Sequence, residues 1–178
     1  MKIFYILFLT FLISGCASKV QNVQNYINIE NIQDRQFLNS TIDVESSFKK
    51  FYSNKMWYTK NNEYQEFAIN FWSQNPILMT QEIFLKSGFL DAKQVVKSLY
   101  STKINILEFH QSFEGQKSYA VSNFQVTIWQ NNQQKLIHNK IFKYKQVCDE
   151  NSPKGSLNAF KKNLNTFNTE IIQLLNSI

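Results

Sequence analysis

The sequence predicts an α+β fold: an antiparallel β-sheet packed by a central helix and a long C-terminal amphipathic helix. Three observations carry this. Three β-rich runs follow one another at residues 103–113, 118–130 and 135–148, separated by turn-like stretches at 114–117 and 131–134. Beyond them Leu157, Phe160, Leu164, Phe167, Ile171, Leu174 and Ile178 recur at steps of three and four, the period of one helix face. Earlier, Asn75-Pro76 and Gly88 frame a shorter apolar segment, with Asn as a cap, Pro at the first helical position and Gly at the end.

In chain order, the first segment is Lys2 followed by an apolar run, Ile3 to Ile13, broken only by Thr10. A charged start, an apolar middle and small residues at 14–15 form the layout of a secretory signal peptide. The run is shorter than the roughly 20 residues that a membrane-spanning helix needs. Leu12-Ile13-Ser14-Gly15-Cys16 resembles a bacterial lipobox. That resemblance implies cleavage before Cys16 and a covalent N-terminal lipid on its thiol, with acyl chains such as palmitate holding the protein on a membrane. Anchoring is stable when two or more chains are buried, at about 0.8 kcal/mol per methylene. The organisation expected is therefore a cleaved signal peptide at 1–15, a lipidated cysteine with a polar linker at 16–36, and a single α+β periplasmic domain at 37–178.

Within the linker, Tyr26, Ile27 and Ile29 have the composition of a short first strand. Ile42 and Val44 alternate in a strand at 41–45, and Phe48 and Phe51 follow in a bend or helical turn. Residues 55–59 and 63–69, joined at Asn61-Asn62, read as a hairpin. The segment 93–100 fits a helical turn or a strand. In the run at 118–130, Ala120, Ser122, Phe124, Val126 and Ile128 fall on one side, which marks the core face. Asn151 to Gly155 breaks the sheet, and Ser156 is a candidate cap for the last helix. The helix stripe reads as a cover for the sheet, because its opposite face is rich in Asn rather than in the Lys and Arg of a membrane-surface helix.

Composition bounds the chemistry. The chain has sixteen Phe and eight Tyr against four Gly and two Pro, which favours a packed core over a loop-dominated fold. The formal charge is +6, but the lysines are scattered. A tethered, secreted chain without a basic stripe is a poor nucleic-acid binder. With Cys16 lipidated, only Cys148 remains, so no internal disulfide is expected, and a lone thiol at a strand end is most simply inert. Glu63 with Glu66, and Asp149 with Glu150, are close in sequence as solvated carboxylates commonly are. His110 and His138 lie in expected strands without a metal ligand at useful spacing. Phosphate loops, CxxC pairs and nucleophile elbows are absent from the sequence. The expectation is a protein that is not an enzyme and takes no cofactor or metal.

Taken in order, a lipobox, the strand with Ile42-x-Val44, a strand ending in Trp57-Tyr58, then Tyr64, Trp72-x-x-x-Pro76, three long strands and a closing amphipathic helix resemble the ABC-type transport auxiliary lipoprotein family. Phe71 stands where many members place an Arg before the Trp. The resemblance implies a non-catalytic envelope subunit working with a mammalian-cell-entry (MCE) domain protein, an ABC permease and an ATPase, moving lipid or other hydrophobic compounds between inner and outer membranes. Trp57, Tyr58, Tyr64 and Trp72 are then the candidate partner or lipid contacts, weighed against a role as core side chains. Ala17 after the cysteine points to the outer membrane, on its periplasmic side, with the inner membrane as the other setting. The helix seam and the open sheet edge each permit a homo-oligomer. The competing reading is a surface-exposed lipoprotein, an adhesin or antigen, with no transport role.

Overall fold

The computed structural model describes residues 22–27, 38–94 and 97–178. The expected signal peptide at 1–15 and Cys16 lie outside the described residues. In chain order the elements are β1 (Val23–Asn25), β2 (Ser40–Glu45), a 3-10 turn (Lys49–Tyr52), β3 (Lys55–Lys60), β4 (Glu63–Trp72), α1 (Pro76–Lys86), β5 (Leu90–Asp91), β6 (Tyr100–Glu114), β7 (Lys117–Gln130), β8 (Lys135–Val147) and α2 (Pro153–Asn176). The eight strands among the described residues belong to one sheet.

The spine of that sheet is β6. One of its edges pairs antiparallel with β7, from Tyr100 opposite Gln130 to Glu114 opposite Lys117, and β7 pairs antiparallel with β8. The other edge is shared. Its first half takes β2 in parallel, Ser40 opposite Tyr100 to Glu45 opposite Asn105, with β5 beyond it. Its second half takes β3 in parallel, Tyr58 opposite Gln111 to Lys60 opposite Phe113, with β4 and then β1 outside. The α+β class holds, and the sheet is mixed. The expected meander and hairpin are antiparallel, while β2 and β3 run along β6 because each reaches it through a crossover rather than a tight turn.

Local chemistry sets the boundaries. Asn61 and Asn62 both hold positive φ (53° and 64°), the conformation a two-residue hairpin needs, and asparagine tolerates it. The Asn75 side chain accepts the Leu78 N–H at 2.9 Å, and Pro76 occupies the first turn of α1. Gly88 (φ 101°) then takes the chain out of that helix. The last helix begins earlier than its sequence suggests. Ser152, not Ser156, is its cap, accepting the Gly155 N–H at 3.0 Å, with Pro153 at the first helical position. Ser156 lies inside the helix, fully buried, donating to the Pro153 carbonyl at 2.6 Å. The Ser-Pro pair uses the same start signal as Asn75-Pro76. The strand within the linker is Val23–Asn25, just before Tyr26 and Ile27, and Ile29 lies outside the described residues. Leu90–Asp91 forms a two-residue strand that the sequence does not announce.

Both helices pack on one face of the sheet. On β7 Ala120, Ser122, Phe124, Val126 and Ile128 are all fully buried, as their alternation predicts. The stripe of α2 meets them: Phe124 and Phe167 stack at 4.1 Å with rings 3° apart, and Phe109 stacks on Phe160 at 4.5 Å. From α1, Phe84 meets Phe167 edge-on at 5.4 Å. Each such buried aromatic contributes about 2–3 kcal/mol of transfer free energy. Leu175 closes the helix stripe in place of Ile178, which is exposed.

Candidate functional site

A bulge in β6 creates the site. Up to Ile106 the even-numbered residues face the helices: Ile104 and Ile106 are fully buried. The register shifts between Ile106 and Glu108, and afterwards Phe109 and Gln111 take the core side. Glu108 and His110 are thereby turned to the opposite face, which neither helix covers.

Five segments meet on that open face. The 3-10 turn is pinned by Phe51, fully buried, and carries Lys50. The Lys50 ammonium lies 3.0 Å from the ring centre of Tyr64, 5.1 Å from Phe51, 5.5 Å from Phe48 and 5.9 Å from Trp57. Tyr64 packs edge-on against His110 at 4.8 Å, and its hydroxyl lies 3.3 Å from His110 Nδ1 and 3.5 Å from Glu108 Oε1. Asn123 of β7 donates to Glu108. The Trp57 indole N–H is enclosed and has no hydrogen-bond partner among the described residues.

Electrostatics follow from this enclosure. Burial, then the charge of Lys50, lowers His110 to about 4, so the ring is neutral at pH 7. Burial, then the charge and hydrogen bond of Glu108, pushes the Tyr64 hydroxyl up to about 12. Lys50 is lowered by burial, with Glu108 opposing. The result is a half-buried cation, an acceptor carboxylate and two aromatic faces on adjacent strands. This arrangement can grip a partner's polar and aromatic groups, and rigid strands hold it in place.

Of the four aromatic candidates, Trp57 and Tyr64 are brought together here. Trp72 is not: it is 2% exposed, wedged edge-on against Phe109 at 5.7 Å and Phe160 at 5.2 Å, and is a core side chain. Tyr58 points to the helix side of β3, against Phe67 at 4.6 Å and Phe113 at 5.6 Å. Alternation along β3 separates Trp57 from Tyr58, since neighbours in a strand take opposite faces. Lys50, Glu108 and His110 were not expected at one site. A bulge leaves no trace in the pattern of β6, so no sequence signal joins them.

The remaining groups are dispersed. Cys148 is buried, and burial raises its thiol, which weakens it as a nucleophile. It borders a cavity of about 290 Å³ that Ser118, Val147 and residues 149–151 help to line. Glu66 is paired with Lys55 at 2.6 Å, and Asp149 accepts from Asn158 at 2.7 Å. His138 sits on β8, facing Phe142 at 6.5 Å. Among the described residues no group of three or more His, Cys, Asp or Glu is placed to hold a metal ion. No helix among them is long and apolar enough to cross a membrane.

No protein-family model matches the chain, and curated proteins give no significant sequence match. Solved structures do match. Protein XCC0632 from Xanthomonas campestris, of the DUF330 family model, is similar with a TM-score of 0.70 at 16% identity, over 84% of this chain and 92% of that one. An uncharacterized protein is similar with a TM-score of 0.65 at 14% identity, over 87% of this chain and 99% of that one. At these identities the likeness is one of fold, and the chain shares its α+β architecture with a DUF330 protein over nearly its whole described length.

Proposed function

We propose that this protein is a non-enzymatic, lipid-anchored envelope subunit that docks on the MCE-domain protein of an ABC-type lipid transport system through the open face of its sheet. The observation that carries the reading is the asymmetry of that sheet. Helices cover one face, and the other presents a preorganised Lys50–Trp57–Tyr64–Glu108–His110 cluster. A half-buried cation against the exposed ring of Tyr64, with the Glu108 carboxylate beside it, is the kind of anchor that a binding partner engages. The order of sequence features and the fold shared with a DUF330 protein support the same reading.

In this reading Cys16 carries the lipid, the outer membrane holds it, and the domain works in the periplasm. Permease and ATPase act beyond the MCE protein. No reaction centre is required, because the cluster contributes binding and Cys148 is a protonated, buried thiol.

The test is affinity capture from crosslinked envelopes with identification by mass spectrometry. Wild type is expected to bring down an MCE protein with its permease. Lys50→Gln, which keeps the stem and removes the charge, should reduce that capture severalfold, as loss of a binding anchor does, with circular dichroism showing that the variant domain is folded. Capture of unrelated outer-membrane proteins alone, or equal capture by the variant, would sink the proposal. Protease shaving of whole cells separates it from a surface-exposed adhesin, which would be digested.

A further inference from the structure

A second surface lies beside the docking cluster. Tyr26, Phe48, Tyr52 and Leu78 are 64%, 47%, 54% and 50% exposed, although each stands next to well-packed backbone. Hydrogen bonds to residues 72–75 and their neighbours tie the three segments that carry them together. Ser73 N donates to the Asn25 carbonyl at 2.9 Å, Trp72 N to Asn54 at 2.7 Å, and the Asn75 amide to the Tyr52 carbonyl at 3.3 Å. Phe48 rests edge-on against the buried Phe51, so the 3-10 turn is a firm support. In such a turn residues three apart share a side, which places Lys49 beside Tyr52.

Charge and chain length say what covers these side chains. From Ser46 to Asn62 the sequence carries lysines and no Asp or Glu. Lys49 is exposed and has no ion pair among the described residues, while Lys55 is paired with Glu66. On α1, Glu82, one turn on from Leu78, is paired with Lys86. Exposed rings and a leucine with uncompensated lysine suit the boundary between headgroups and acyl chains of an anionic bilayer. Cys16 and Asn22, the first described residue, are six residues apart, at most about 20 Å of extended chain. β1 therefore holds the domain close to any membrane that Cys16 is tethered to, at high effective concentration.

We infer that Tyr26, Phe48, Tyr52 and Leu78, with Lys49, form a second membrane contact that lays the domain on an anionic lipid surface and fixes its orientation. This rests on the tether of the proposed function, but not on the MCE partner. Two weak membrane signals then act together, and the open sheet face is held at a defined angle to the bilayer.

The test uses the full mature chain, purified with its lipid and reconstituted in phosphatidylethanolamine vesicles with and without phosphatidylglycerol. Nitroxide labels are placed singly through Tyr26→Cys, Tyr52→Cys and Leu78→Cys. Gln133→Cys, on the β7–β8 turn, is the aqueous reference, and the parent chain with its buried Cys148 is the blank. Expected is a severalfold fall in collisions with a nickel chelate, and a rise in collisions with oxygen, at the first three positions only. The fall should be larger with phosphatidylglycerol and should shrink with Lys49→Glu. Accessibility equal to position 133 on both vesicles overturns the inference. So does shielding that appears without lipid, or only when an acidic protein is added. The mass of the N-terminal peptide reports separately on the tether. A chain with no lipid on Cys16 defeats the tethered function, and its labelled positions are still read against added vesicles.

Discussion

His110 shows how much one residue can depend on its surroundings. The groups facing it are Tyr64, Lys50 and Glu108. Burial first and Lys50 second hold its ring near 4 instead of 6.5. The folded state thus binds the proton less readily than the unfolded state. The stability His110 contributes is full above about pH 6.5 and is lost as pH falls toward 4, a loss of up to roughly 3 kcal/mol. Urea unfolding at pH 7 and pH 4.5 should show this loss in wild type, and His110→Phe should flatten it. Equal slopes in both proteins would mean that the ring is solvated. The same cluster contrasts two tryptophans. Trp72 and Trp57 are indistinguishable in composition, yet one is core and the other only partly buried on the opposite face. The parity of their strands separates them, and the fold sets that parity.

Among the elements, the two helices start by one rule, a capping side chain followed by proline. The α2 start carries a further constraint at Gly155. A Cβ there would lie 2.6 Å from the backbone N and O of Glu150, and from its Cβ. Alanine would favour the helix by about 1 kcal/mol on propensity alone, but the contact forces backbone to move. Gly155→Ala is expected to lower the melting temperature, and Ser152→Ala should cost about 1 kcal/mol through the lost cap. Thermal unfolding of both variants checks this, and a Gly155→Ala protein more stable than wild type would refute the close approach. The bulge in β6 is the element-scale counterpart of the site. Without it, Glu108 and His110 would face α2, and the open face would lose its acceptor and its histidine.

On the scale of the whole molecule, the sheet has a protected centre and thin margins. β7 is paired along both edges and lies under α2, while β1 is a three-residue strand at the margin. Native-state hydrogen exchange should therefore find the slowest amides around Phe124 and Val126, and fast exchange in β1. Slow exchange in β1 that vanishes when vesicles are removed would instead reflect the membrane contact. The same layout divides labour: one face is packed under the helices and holds the fold together, and the other is left open.

Much of this was legible in the sequence because it is written in local periodicity. The alternation of 118–130, the stripe of α2 and the Asn75-Pro76 start each encode their element in local sequence. The α+β class followed from them. What the tertiary structure alone decided was long-range. Parallel pairing of β2 and β3 along β6, the strand at Val23–Asn25 and the gathering of Lys50, Trp57, Tyr64, Glu108 and His110 depend on contacts between residues distant in the chain. Sequence period fixes which face a side chain takes within one strand, but a bulge resets that face, and only the pairing of whole strands determines where the reset falls.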